Sequence, residues 1–187
     1  AMNCPNQKDG EPCNDCYICQ AITEGSLEDV IEIDAASNNG VDEIRDIRDK
    51  STYAPSLAKH KVYIIDEVHM LSAAAFNAFL KTLEEPPSYA IFILATTEKH
   101  KILPTILSRC QIYDFKRITV QDITRHLRYV ADSEGIDAEE TALGLIAEKA
   151  DGGMRDALSM FDRIASFAGG HITYQHALES LNVLDST

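Results

Sequence analysis

The sequence predicts a parallel α/β sheet followed by an all-helical domain, and three observations carry this prediction. Two continuous apolar runs, Val62–Ile65 and Ala90–Ala95, have the length and composition of strands that are buried on both faces. Apolar residues at helical spacing from Ala75 to Leu83 lie between them, which predicts a strand–helix–strand unit with parallel strands. From Arg117 onward only helical spacing remains.

The composition is that of an acidic globular protein. The 187 residues are 45% hydrophobic and carry a formal net charge of −13. This charge excludes bulk attraction to nucleic acid, so any contact with DNA must be local or made within a larger assembly. The apolar runs are too short to cross a bilayer and the first residues lack the pattern of a signal peptide, so we expect a cytoplasmic protein that does not enter membranes.

The first expected element is a cysteine module over residues 1–25. Its cysteines are spaced Cys4-x8-Cys13-x2-Cys16-x2-Cys19. A C-x-x-C pair presents two thiolates from one tight turn, and structural zinc takes four such ligands in a tetrahedron. Free surface thiols or a redox pair are the alternatives. The overlapping pairs and the upstream cysteine favour a structural Zn²⁺ site that the protein fills completely.

The rest of the α/β domain is expected over residues 26–116. Val30–Asp34 is typical of a short strand, and Val41–Lys50 is typical of a helix that Ser37 or Asn39 would cap. Ser72 is expected to cap the helix between the two apolar runs. Gln111–Phe115 alternates as a strand does.

A bundle of helices is expected over residues 117–187. Thr119 with Asp122 resembles a capping box at the start of the first helix. Further helices are expected to begin near Asp137, after Gly152-Gly153 and near Thr173. Their apolar faces would form one small core.

Acidic and hydroxyl side chains follow the two apolar runs. Asp66 and Glu67 come directly after the first run, and Thr97 follows the second. Because the carboxyl ends of parallel strands meet at one edge of a sheet, we expect these residues to lie close together. An Asp-Glu pair in this place is typical of a Walker B box, in which Asp holds Mg²⁺ and Glu polarises a water. A strand that ends in a solvated acidic turn is the alternative.

Several motifs in a fixed order resemble the AAA+ ATPase region of the bacterial DNA polymerase III gamma/tau subunits, the motor of the replicative clamp loader. The resemblance extends from Cys4 to Leu184. Its motifs are the cysteine quartet, Ile65–Ser72 (Walker B), Leu80–Pro87, Leu94–Thr97 (sensor 1), Ile106–Cys110 (the Ser-Arg-Cys motif) and Gly152–Leu158 (sensor 2). The helical bundle would then be the lid of an AAA+ domain.

The resemblance implies a role for five side chains. Asp66 would hold Mg²⁺, Glu67 would activate the hydrolytic water and Thr97 would sense the γ-phosphate of ATP. Arg155 would contact phosphates from the lid. Arg109 would be an arginine finger that reaches the nucleotide of a neighbouring subunit.

The resemblance also implies partners. These are the other clamp-loader subunits, the sliding clamp and primed DNA, whose phosphates the helix near Val41 and the helix after Ser72 would hold. One alternative is a non-catalytic clamp-loader arm or scaffold subunit. Another is a different AAA+ switch such as a Holliday-junction motor, but the cysteine module and Ser108-Arg109-Cys110 argue against it.

One motif of the family, the phosphate-binding loop G-x-x-x-x-G-K-[ST], is absent from the 187 residues. In the family this loop precedes the cysteine module, so the chain is interpreted as a fragment that does not itself hydrolyse ATP. The strand before the loop is central in AAA+ sheets. We therefore expect Ile91–Ala95 and Gln111–Phe115 to pair directly, or the chain to self-associate through these exposed edges.

Overall fold

The computed structural model describes residues 1–184, and the chain divides into two compact units, residues 1–112 and residues from Tyr113 onward. The first unit contains a three-stranded sheet. Its elements are α1 (Tyr17–Thr23), β1 (Val30–Asp34), α2 (Val41–Ser51), β2 (Lys61–Asp66), α3 (Ala73–Glu84), β3 (Ala90–Leu94) and α4 (Pro104–Leu107).

The sheet is parallel, with β2 between β1 and β3, as the sequence predicts. Tyr63 and Ile65 of β2 are buried on the face that packs against α2 and α3. The Phe92 ring stacks on Tyr63 at 5.3 Å and meets the edge of Phe79 from α3 at 5.5 Å between ring centroids. These aromatic contacts fix the helix layer on one face of the sheet.

The prediction that β3 is buried on both faces is wrong for the face that points away from α2 and α3. Ile93, whose side chain alternates with that of Phe92, is 40% exposed. A continuous apolar run shows that a strand is hydrophobic, but it does not show that a second layer covers it.

The prediction of a strand over Gln111–Phe115 is also wrong. This segment has no regular structure, Phe115 is 96% exposed, and within the described residues β3 pairs only with β2. The expected direct pairing with Ile91–Ala95 is therefore absent. An alternating pattern becomes a strand only where a neighbouring strand satisfies its amides and carbonyls, and none lies beside this segment in the described chain. Self-association through the β3 edge stays a prediction.

The N-terminal caps of α3 and α2 differ in how well the sequence predicts them. Ser72 caps α3 as predicted, since its hydroxyl accepts from the Ala75 amide at 3.1 Å. The cap predicted for α2 is wrong, because its N-cap is Gly40 and no side chain caps it. The Ser37 hydroxyl instead donates to the Asp34 carbonyl, and the Asn39 carbonyl accepts from the Ser72 amide.

The second unit is built on four helices. Its elements are α5 (Val120–Ser133), β4 (Asp137–Ala138), α6 (Glu140–Lys149), α7 (Met154–Ala168), β5 (His171–Ile172) and α8 (Tyr174–Leu184). Thr119 caps α5 by accepting from the Asp122 amide at 3.1 Å, as predicted. The expectation of helices alone is wrong in one detail, because β4 and β5 form a two-residue parallel pair. Because β4 occupies Asp137–Ala138, α6 begins at Glu140 and not near Asp137 as predicted.

The core of the second unit is apolar and includes Ile123, Leu127, Leu143, Ile146, Phe161 and Ile164, all nearly or fully buried. A tight turn leads into α7. Gly152 has φ +86°, and a Cβ there would lie 2.4 Å from the Arg117 Cβ, so the turn requires glycine. No helix in the described part of the chain is both long enough and apolar enough to span a bilayer.

Candidate functional site

The four cysteines of residues 1–25 come together in the first unit. The sulfur atoms of Cys4, Cys13, Cys16 and Cys19 all lie within 4.8 Å of one another. Tetrahedral zinc with Zn–S bonds of about 2.3 Å needs sulfur atoms about 3.8 Å apart. The Cys13 and Cys19 sulfurs are 3.9 Å apart, so the donor set fits this ion.

Backbone amides surround these sulfurs. The amides of Cys13, Cys16 and Cys19 donate to the sulfurs of Cys4, Cys13 and Cys16 at 3.3, 3.3 and 3.4 Å. The amides of Asp15 and Cys16 lower the pKa of Cys13 to about 6, whereas burial raises the pKa of Cys19 to about 12. A bound cation would favour the thiolate form of every member.

The cysteine module is anchored to the start of β2. The Asn3 side chain donates to the His60 carbonyl at 3.0 Å and accepts from the His60 amide at 2.8 Å. Asn3 is buried and directly precedes Cys4. The module therefore lies at the N-terminal end of β2. This strand has six residues, which span about 20 Å.

The candidate reaction site lies at the opposite end of the same strand. Asp66 is the last residue of β2, and Thr97 follows β3 closely. The Ala95 amide donates to the Ile65 carbonyl at 2.9 Å, and the Val68 amide donates to the Ala95 carbonyl at 3.0 Å. The structure thus brings Asp66, Glu67 and Thr97 to one edge of the sheet.

The backbone turns sharply between the two acids. Glu67 has φ 51° and ψ 42°, in the left-handed region, which costs a non-glycine residue about 1–2 kcal/mol. The Asp66 carboxylate accepts from the Glu67 amide at 2.9 Å, and Val68–Met70 then form a 3₁₀ turn. Asp66 is exposed and Glu67 is half-buried, so the two carboxylates occupy different environments.

Sequence reasoning missed two residues that contact this site, His69 and Glu98. The His69 side chain is only 5% exposed, and its Nε2 lies 3.4 Å from carboxylate oxygens of both Glu67 and Glu98. Its Nδ1 lies 2.8 Å from the Thr96 hydroxyl. Lys101 pairs with Glu98 at 2.7 Å and, above all through that hydrogen bond, lowers the pKa of Glu98. The sequence does place His69 three residues after Asp66, at the end of a predicted strand, and this position could have indicated a contact with the site.

Arg109 lies in the turn after α4. Its guanidinium donates to the Thr105 carbonyl at 2.7 Å and to the Glu84 carboxylate at 3.2 Å. The side chain is 35% exposed, so another chain can reach it. These contacts hold it in place without removing it from the surface.

Arg155 lies in the second unit, in the first turn of α7, and is exposed. The candidate site residues therefore divide between the units. The first unit holds Asp66, Glu67, Thr97 and Arg109, and the second holds Arg155.

Comparison with known proteins identifies the family. A model described as DNA polymerase III, delta subunit matches residues 1–119, and one described as DNA polymerase III clamp loader subunit, ATPase lid domain matches residues 122–170. The RuvB Holliday junction branch migration motor of Thermotoga maritima superposes with a TM-score of 0.68 at 18% identity, covering 89% of this chain and 56% of that one. This likeness shows the AAA+ fold.

Relatives of higher identity are DNA polymerase III subunits. The tau subunit of Bacillus subtilis is 62% identical over 95% of this chain and 32% of its own length. The tau subunit of Escherichia coli is 44% identical over 98% of this chain and 29% of its length, and the gamma subunit of Buchnera aphidicola is 43% identical over 98% and 51%. The chain thus spans about a third to a half of these relatives, and it belongs to the gamma/tau family of DNA polymerase III clamp-loader subunits.

Proposed function

We propose that the full-length protein is an ATP-driven motor subunit of a clamp loader, which acts in the cytoplasm during DNA replication. It would work with other clamp-loader subunits to load a sliding clamp onto primed DNA. The observation that carries this proposal is the meeting of Asp66, Glu67 and Thr97 at the carboxyl ends of two adjacent parallel strands. Membership of the gamma/tau family supports it.

The residues at the strand ends suit phosphoryl transfer to water. Asp66 offers an exposed carboxylate that would hold Mg²⁺, which neutralises phosphate charge when it is bound. Glu67 would orient the attacking water through its carboxylate, and the Thr97 hydroxyl would contact the γ-phosphate. The 187 residues contain no G-x-x-x-x-G-K-[ST] loop, so we expect this chain alone to show no ATP turnover.

The two arginines would supply positive charge from elsewhere. Arg109 is held by Glu84 and Thr105 yet remains accessible, which suits a finger that acts on the nucleotide of a neighbouring subunit. Arg155 is exposed on the second unit and would contact phosphates from the lid.

The cysteine module would hold a structural Zn²⁺ through Cys4, Cys13, Cys16 and Cys19. The module lies at the opposite end of β2 from Asp66, which argues for a role in folding rather than in the reaction. The four sulfur ligands leave no open coordination position for a substrate.

Contact with DNA would be local. The first turn of α2 carries Asp42 and Glu43, which repel phosphate, whereas the first turn of α3 carries no acid. We therefore propose that the N-terminal amides of α3, and not those of α2, contact primer–template phosphates.

The test is ATP turnover by the full-length protein assembled with its partner subunits. A motor would show turnover that rises when sliding clamp and primed DNA are both added, and Asp66→Asn would abolish it. A non-catalytic arm is the second candidate, and the same variant distinguishes it from a motor. It would assemble normally, yet Asp66→Asn would leave the turnover of the complex unchanged.

A further inference from the structure

His69 links the ends of two strands. It lies in the 3₁₀ turn after β2, and its nearly buried ring reaches across to the segment after β3. Nδ1 contacts the Thr96 hydroxyl at 2.8 Å, while Nε2 lies 3.4 Å from Glu67 on one side and 3.4 Å from Glu98 on the other. The side chain therefore touches both the Walker B glutamate and the residues that flank Thr97.

The contacts of the ring favour one of the two His69 tautomers. The Thr96 hydroxyl already accepts from the Glu98 amide at 3.0 Å and has its own proton to donate to Nδ1. With the opposite tautomer, the bare lone pair of Nε2 would face two carboxylates, which is repulsive. The geometry therefore favours a proton on Nε2, which faces the carboxylates of Glu67 and Glu98 at 3.4 Å each.

Glu98 is the fixed side of this link. Lys101 holds its carboxylate at 2.7 Å, and its amide is bonded to Thr96. Glu67 itself has the left-handed backbone conformation, and the His69 ring lies between its carboxylate and that of the anchored Glu98. Any shift of the segment that carries Thr97 would thus be transmitted to the Glu67 carboxylate.

We propose that His69 is a positioning residue for ATP hydrolysis, which ties the orientation of the Glu67 carboxylate to the position of the Thr96–Glu98 segment. The proposal deepens the proposed function and rests on it. A misplacement of about 1 Å at a reacting group can cost about a hundredfold in rate, so a link of this kind is large enough to control turnover.

The first experiment uses the 187-residue chain and needs no ATP. Nitrogen and carbon NMR of His69 reports which ring nitrogen is protonated. The proposal predicts a proton on Nε2, and it predicts that Thr96→Val lowers the fraction of that tautomer. A bare Nε2 in the wild-type chain would overturn the proposal.

The second experiment measures ATP hydrolysis by the full-length subunit in its assembly. Glutamine places an amide nitrogen near the position of Nε2, whereas asparagine reaches only the position of Nδ1. We expect His69→Leu and His69→Asn to lower kcat about ten- to a hundredfold with little change in KM, and His69→Gln to restore much of the loss. The exposed His126 provides the control, since His126→Leu should leave kcat unchanged.

The outcomes separate this inference from the proposed function. If Glu67→Gln abolishes turnover while His69→Leu and His69→Asn retain the wild-type kcat, the inference is wrong and the proposed function stands. A purely structural histidine would make the Gln and Asn variants equally defective, which would also overturn it. If the full-length protein shows no turnover, the proposed function fails and His69 has no hydrolysis to serve, so the inference falls with it.

Discussion

The two units of the chain are stabilised in different ways. The core of the second unit consists of apolar side chains from consecutive helices. The first unit buries polar side chains as well, namely Asn3, Asp29, Ser51 and Thr82, whereas no polar residue is buried in the described part of the second. Asn3 and Asp29 each tie a distant loop by paired hydrogen bonds. The unit that carries the strand-end site (Asp66, Glu67 and Thr97) thus adds buried polar anchors to its apolar core, whereas the other unit depends on apolar packing alone within the described residues.

The largest effect on the first unit should come from removing the Zn²⁺ that we propose for the four-cysteine cluster. Because the four thiols form the centre of residues 1–25, a chelator or Cys16→Ser should abolish hydrogen-exchange protection there and at the Asn3–His60 clamp. The helices of the second unit should stay protected. Cys110→Ser is the control, since Cys110 lies outside the cluster. A purified chain that binds no zinc, with protection indifferent to chelator, would contradict this prediction.

The next largest effect should come from the apolar core of the second unit. Phe161→Ala removes a ring that is 1% exposed and should cost that unit about 3–5 kcal/mol, measured by hydrogen exchange of its amides. The matched control is Phe167→Ala on the same helix, where the ring is 83% exposed and the loss should be within about 0.5 kcal/mol. Equal losses for the two variants would show that the core is not the one described.

A smaller loss is expected from the polar anchor of the first unit. Burial alone would raise the pKa of Asp29, but the amides of Ala58, Leu57 and Ser56 donate to its carboxylate and lower that pKa. Asp29→Asn turns an amide group toward these donors and should cost about 2 kcal/mol at pH 7.

The stability that Asp29 contributes should depend on pH with a defined sign. Because its folded-state pKa lies below the unfolded value of about 3.9, the contribution is complete above that pH and is lost as the pH falls through the folded pKa. Urea unfolding of wild type and Asp29→Asn should therefore converge at acidic pH. The exposed Glu28→Gln serves as control, and a gap that widens in acid would contradict the assignment.

The smallest effects should come from two helix caps, one in each unit. Ser72→Ala and Thr119→Ala each remove a hydroxyl that accepts a hydrogen bond from a backbone amide at 3.1 Å. Each variant should lower the free energy of unfolding of its unit by about 1 kcal/mol. Equal losses would show that local capping does not distinguish the units. A Ser72 loss of several kcal/mol would mean that this cap also supports the strand-end site.

Local patterns allowed most of the fold to be predicted, and the failures are non-local. Helical spacing predicted α3 and α7, and apolar runs predicted β2 and β3. These features can be predicted because the period of a helix and the length of a buried strand depend only on neighbouring residues in the sequence. The segment Gln111–Phe115 has a strand pattern, but a strand also needs a neighbour that the pattern cannot supply.

Part of the strand-end site could likewise be predicted from local patterns, and part could not. Asp66, Glu67 and Thr97 were predictable together because parallel strands must end at one edge. The ring contacts of His69 with Thr96 and Glu98 were not, since they depend on the left-handed turn at Glu67 and on side-chain directions across two loops. The hydrogen bonds of Asp29 depend likewise on a loop about thirty residues away.

The proposed function depends most on Glu67, whose carboxylate at the end of β2 would activate water for ATP hydrolysis in the full-length subunit. The most direct measurement is a single turnover of bound ATP by the assembled complex, comparing wild type with Glu67→Gln at equal ATP occupancy. We predict that the variant binds ATP normally and hydrolyses it at least about a hundredfold more slowly. Hydrolysis at the wild-type rate would contradict the claim.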